Sequence, residues 1–204
     1  MALNFANNNS LSAITSLPAS ISGGGMTLIS TQTVSSSSTI SFTSGIDSTY
    51  DEYVFKLYNI HPSSDSDVQL QFNGSVDTGS NYNVTKTTTH FSAYHYESDA
   101  YTGLGYNTAY DLAQSTAFQV ISTNIGGDND QCGSGYIHLF NPSSATFVKN
   151  FISNVSFVQS DDVARIDYVA GYFNTQSVLD SIQFKFSSGN IDAGTIKLYG
   201  IKDS

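Results

Sequence analysis

The chain has no tryptophan, one cysteine and three prolines in 204 residues, and Asp, Glu, Lys and Arg together make up only 12% of it. A lone cysteine, Cys132, rules out an intrachain disulfide, so the fold does not depend on an oxidising compartment. The thiol reads as a small packing residue rather than a reactive one. Scarce charge, set against abundant Ser, Thr, Asn and Gly, means a surface built of neutral polar groups, as exposed β-structure has. Lys and Arg number 7 against 17 Asp and Glu, a net charge of −10 with no basic cluster, which argues against nucleic acid as a partner. No apolar run is long enough for a membrane span or a signal core, and no Lys or Arg precedes the first apolar residues. The expectation is no membrane contact and a protein made and kept soluble in a cytosol. Four N-x-S/T sequons, at Asn8, Asn73, Asn83 and Asn154, carry no weight in a chain this rich in Asn, Ser and Thr.

Catalytic signatures are also missing. There is no Gly-x-Ser-x-Gly elbow, phosphate loop or dinucleotide fingerprint. The carboxylate pairs Asp65/Asp67 and Asp161/Asp162 fall in polar loops, where nothing suggests the desolvation that raises a catalytic pKa. On a strand His90 and His95 point to opposite faces, poor geometry for one metal, and His61 and His138 stand apart from them. Asp128-Asn129-Asp130 superficially resembles a calcium loop, but EF-hand spacing would need an acid at Leu139. An irregular calcium site there stays open beside a solvated turn. The reading is no catalytic residues, no metal, no cofactor and no enzyme.

What the chain does contain is strand after strand. Thr43 to Pro62 holds the clearest: Tyr53, Phe55 and Leu57 alternate with Val54, Lys56 and Tyr58, between turn chemistry at Gly45 and a stop at Pro62. Burying those three should contribute about 1.5–3 kcal/mol each and set the register of any partner strand. Further strands are expected at Leu28-Ile29 and at Ile40 with Phe42, around a Ser35–Ser38 hairpin turn or strand-edge loop. Val68, Leu70 and Phe72 form another, ending at the tight-turn pair Asn73-Gly74. A β-branched stretch follows from Tyr82 to His95. Phe118 and Val120 precede a loop from Thr123 to Ser134, and Tyr136 to Phe140 stops at Asn141-Pro142. Phe147 to Phe157, Tyr168 to Phe173, Ile182 to Phe186, and Ile196 with Leu198 complete about ten strands with no long helix. Tyr58–Ser64 and His138–Ser144 both end at X-Pro-Ser-Ser, a faint internal echo of two halves. The predicted fold is all-β, a two-sheet antiparallel sandwich of jelly-roll type in one domain, 26–204.

Residues 1–25 differ in composition and read as an extended N-terminal arm with a flexible joint at Gly23-Gly24-Gly25. The arm carries spaced apolar anchors, Leu3, Phe5, Leu11, Ile14, Leu17 and Ile21, of which Leu11, Ile14 and Leu17 can share a face of a short helix capped by Ser10 and stopped by Pro18. Extended, it reaches on the order of 80 Å, enough to dock on a neighbour. The other candidate surface is a loop with Tyr96, Tyr101, Tyr106 and Tyr110 among Gly, Ser and Asn, a composition suited to recognition because the rings supply contact area at low entropy cost. The same rings can equally pack on the body or on the next subunit. The lack of tryptophan weighs slightly against sugar binding.

Two segments, Thr43-Ser-Gly-Ile-Asp-Ser-Thr-Tyr-Asp-Glu-Tyr53 through Asn59-Ile-His-Pro62 and Phe184 to Lys202, resemble a family of small virion-associated structural proteins of tailed bacteriophages, especially marine phages. The Met1-Ala-Leu start, Thr102-Gly-Leu-Gly105, Asn141-Pro-Ser-Ser144 and Ala170-Gly-Tyr-Phe-Asn174 fit the same pattern. The resemblance implies a virion part, made in the host cytoplasm among other virion proteins; a symmetric homo-oligomer such as a trimer is expected because it would cover exposed sheet edges. It supplies no catalytic residues. A capsid decoration or tail-associated subunit docking through the arm is the preferred expectation; a fibre or knob module gripping a host surface glycan through the tyrosine loop is the alternative. A soluble glycoside-active enzyme is a weaker third, because no acid/base pair can be named.

Overall fold

A computed structural model describes residues 25–64 and 68–202; the six arm anchors, and Asp65 and Asp67, lie outside the described residues. The described chain is all-β and antiparallel. Its twelve strands are β1 (Thr27–Ser37), β2 (Ile40–Phe42), β3 (Glu52–Pro62), β4 (Val68–Ser75), β5 (Lys86–Tyr96), β6 (Thr102–Tyr106), β7 (Gln119–Ile125), β8 (Gly133–Phe140), β9 (Lys149–Gln159), β10 (Val163–Phe173), β11 (Ser181–Phe186) and β12 (Ile191–Ile201). Hydrogen bonding orders eight of them β1-β12-β3-β8-β9-β10-β5-β6 and the other four β7-β4-β11-β2. One pair, Ile125 with Gln159, joins the two runs. The result is a nearly closed, barrel-like sheet.

The two runs face each other across the core. Phe42, Phe72 and Phe184 on the short run meet Phe55, Phe151 and Phe173 on the long one, with ring centroids 5.0–5.9 Å apart in edge-on or steeply inclined pairs. Such offsets suit the ring quadrupole and add to the area each ring removes from water. Tyr53, Phe55 and Leu57 point inward as their alternation requires, and β3 ends at Pro62. The Tyr53 hydroxyl stays satisfied: it accepts from the Asp47 N–H and donates to the Asp47 carbonyl, both at 2.9 Å.

Several expectations are corrected. Ser35–Ser38 is not a hairpin, because β1 pairs with β12 and β2 with β11, so the chain crosses there from the long run to the short one. Asn73-Gly74 is not a turn but lies within β4, opposite Gln183 and Ile182. Its glycine answers to packing: a Cβ there would sit 2.6 Å from Leu179 Cδ1. The Asn73 amide meanwhile donates to the Tyr82 and Thr116 carbonyls at 2.8 and 2.9 Å. The expected loop from Thr123 shrinks at both ends, since β7 runs to Ile125 and β8 starts at Gly133. Phe147 is exposed ahead of β9, and Tyr82 to Thr85 precede β5 outside any strand. The strands carrying the Pro-Ser-Ser echo, β3 and β8, are antiparallel neighbours in one run, so they do not head separate halves.

Two buried lysines open strands β5 and β9. Lys149 donates to the carbonyls of Ser144, Phe147 and Thr175, gathering the loops on either side of β9 and β10. Lys86 donates to the Ala117 carbonyl at 2.6 Å beside the Phe173 ring. Burial pulls both ammonium groups below the usual lysine range, Lys86 to about 7.

Candidate functional site

The tyrosine segment is a hairpin rather than a loop. β6 pairs with the end of β5, Tyr106 opposite Phe91 and Thr102 opposite His95, and forms an outer edge of the long run. Asp99 at φ 58° turns the chain between them, its N–H donating to the Tyr96 carbonyl while its carboxylate meets His95 Nε2 at 2.9 Å. The four tyrosines therefore separate. Tyr96 and Tyr101 meet edge to face at 5.6 Å at the hairpin tip, and Tyr101 is 68% exposed. Tyr106 stands farther along β6 and donates to Asp111 Oδ2 at 2.6 Å; that bond to the carboxylate holds its hydroxyl proton on, raising its pKa. Tyr110 leans over the His90 ring at 5.4 Å. Only Tyr96 and Tyr101 share a surface.

Across β6, β5 and β10 runs an outward row, Tyr106, Phe91 and Tyr168, with Phe91 and Tyr168 stacked nearly parallel at 4.9 Å. The small residue Ala170 leaves a trough of about 430 Å³ beside this ridge. Phe140, Ile152, Tyr172, Thr87, Thr89 and Asn150 wall it, and among the described residues none that lines it is charged. A second, polar hollow of about 380 Å³ holds His61, Asp130, Cys132 and Asp192, where Asn59 at φ 50° and Gly194 at φ 130° break the β3–β12 ladder into bulges. A Cβ on Gly194 would lie 2.9 Å from the Asn59 carbonyl oxygen. The Asp128–Asp130 loop beside this hollow closes on itself through Gln131, which donates its N–H to the Asp128 carbonyl and accepts from the Asp128 N–H. Among the described residues no three His, Cys, Asp or Glu side chains are placed to hold a metal.

Beneath β5 lies the cluster that sequence reasoning missed. Lys86, Thr88, His90 and Ser92, every second residue of β5, are buried against Gln119, Thr123 and Asp167. Asp167 Oδ2 accepts from the Thr123 N–H at 2.8 Å and hydroxyl at 2.9 Å, and Oδ1 accepts from Arg165 Nε at 3.0 Å. Arg165 also donates to Gln159 and Ser92, and Asn107 donates to Ser92 at 2.8 Å. His90 Nε2 lies 3.6 Å from Asp167 Oδ2, beyond hydrogen-bond distance. The His90 and Asp167 side chains are wholly buried, and the Thr123–Asp167, Arg165–Ser92 and Thr88–Gln119 bonds tie β5, β7 and β10 to one another. The available signal was the unbroken polar run Lys86–His90, with Phe91 the one apolar residue before Ser92: if Phe91 faces outward, every second residue from Lys86 to Ser92 on the inward face is polar.

Comparison with protein-family models, with curated proteins and with solved structures finds no match to this chain.

Proposed function

We propose that the chain is a non-enzymatic structural subunit of a tailed-phage virion, a capsid decoration or tail-associated protein whose residues 1–25 dock on a neighbour. The observation that carries this reading is how the strands nest: β1 with β12, β2 with β11, β3 with β8, and β4 with β7. Four nested antiparallel pairs, laid out as β1-β12-β3-β8 and β2-β11-β4-β7, support reading the barrel-like sheet as a two-sheet sandwich of jelly-roll type, with β5-β6 and β9-β10 as insertions that widen one sheet. This architecture recurs in viral capsid and lectin domains. The step from architecture to role is an analogy of folds, and the resemblance of the segments at Thr43–Pro62 and Phe184–Lys202 to virion-associated proteins supports the narrower reading. Its partners are other virion proteins and further copies of itself, a trimer among them, which would cover the β6 edge.

A glycan-gripping fibre or knob module is the second reading, favoured by the exposure of Tyr101 and of Leu104, 76% exposed on β6. Mass spectrometry of purified particles, with electron microscopy to place the subunit, separates the two. High copy number over the capsid or tail tube supports the structural role. A few copies at the tail tip, with adsorption lost on Tyr101→Ala, supports the second, and absence from particles ends both.

A further inference from the structure

We propose that the trough around Ala170 is the seat of the chain's own residues 1–24, which occupy it in the free protein. The proposal rests on reading those residues as a docking arm and names the surface that holds them before assembly. Charge is the first ground. Residues 1–24 contain no Asp, Glu, Lys, Arg or His, in a chain of net charge −10, and the trough is lined without a charged residue. A segment without charged side chains entering it brings no ionised side chain to desolvate.

Position is the second. Thr27, where β1 begins, lies in one unbroken cross-strand row with Gly200, Tyr53, Leu139, Phe151, Gly171 and Thr88. The last three belong to the trough. From β1 to β10 the row crosses five strand spacings, about 24 Å at about 4.8 Å each. About eight extended residues cover that distance. Residues 17–24 thus suffice as a tether over the sheet, and Leu3, Phe5, Leu11 and Ile14 remain to fill the hollow between the Phe91–Tyr168 ridge and the Tyr172 and Phe140 rings. Held there, the anchors are withheld from other copies until a particle offers a better surface.

The test is a disulfide cross-link in the full chain, with Cys132→Ser removing the native thiol. Ala13→Cys is paired with Ala170→Cys or, as the comparison, with Gln71→Cys on β4 of the short run. The expected result at low micromolar protein is an intrachain bond to position 170, seen as a monomer on non-reducing gels and forming at least about tenfold faster than the bond to position 71. Equal rates at both positions, or a bond to 170 that forms only between chains, overturn the proposal. Should Ala170→Cys fail to fold, Thr89→Cys, its exposed cross-strand neighbour, replaces it under the same criteria. The virion reading is judged separately by particle composition, so either can fail alone.

Discussion

Replacing Lys86 by methionine should make the protein more stable in mild acid and leave it no better off in alkali. The ammonium is fully buried, its polar partner is the Ala117 carbonyl, and no carboxylate pairs with it among the described residues. Its pKa falls from 10.5 to about 7 on folding because burial disfavours the charged form. The unfolded chain therefore binds more protons than the folded one between those values, and stability rises with pH across that window. Below pH 7 both states are protonated and the full cost of burying the charge applies; above 10.5 it vanishes. A difference of 3.5 units at 1.36 kcal/mol each puts that cost at about 5 kcal/mol. The methionine side chain of the Lys86→Met variant fills the same space but leaves a buried carbonyl unpaired, which costs about 1–3 kcal/mol. The variant should then exceed the wild type by about 3 kcal/mol at pH 6, and the wild type should recover about 3 kcal/mol relative to it by pH 9.5. Urea denaturation of both proteins at half-unit steps measures this, and the histidines and tyrosines common to both cancel in the difference. A gap that stays constant from pH 6 to 9.5 would show that Lys86 keeps an ordinary pKa, and the reasoning would be refuted.

Three further substitutions test the rest of the architecture. Lys149→Met should cost about 2–4 kcal/mol, because the Ser144, Phe147 and Thr175 carbonyls lose their common donor, and hydrogen exchange should speed up in the flanking loops before it does in the core. Tyr53→Phe removes a hydroxyl that holds the Asp47 turn from a fully buried ring and should lower the urea midpoint by the equivalent of about 1–2 kcal/mol. Asp167→Asn turns an acceptor of three hydrogen bonds into a group that also donates, and strands the Arg165 charge. The expected loss is about 3–5 kcal/mol, and a change under about 1 kcal/mol would mean that the cluster does not hold the strands in place.

The strands that could be read from the sequence are those whose burial alternates with apolar residues. β3, β11 and the second half of β12 show their inward faces as Tyr53-Phe55-Leu57, Ile182-Phe184-Phe186 and Ile196-Leu198, and the structure places all eight in the core. Asn73-Gly74 misled because its turn propensity is a local signal, while the close approach of Leu179 and Phe173 is not. β6 stayed hidden for a different reason: Thr-Gly-Leu-Gly-Tyr has no buried side to alternate with, since it is an edge strand with both glycines against neighbours or open space. Of the candidate site, the tyrosines were legible as a group but not which ring is exposed, because their division depends on a pairing between Phe91 and Tyr106 that no spacing encodes.

The buried polar face of β5 divides the molecule. Each of the eight nested strands and both strands of the β9-β10 insertion contribute side chains to the apolar core, but β5 and β6 contribute none. Their hairpin is held by the β5–β10 ladder and, on its inward side, by Thr88 donating to Gln119 and by Asn107 and Arg165 donating to Ser92. Hydrogen bonds are directional where apolar packing is not, so these contacts reinforce the register that the β5–β10 ladder sets. A hairpin positioned in this way can present Tyr101, Leu104 and the Phe91–Tyr168 ridge in a fixed orientation, while changes on its outer face leave the core untouched. Surface variation at the hairpin is therefore cheap in folding terms, whereas variation at β3 or β11 is not.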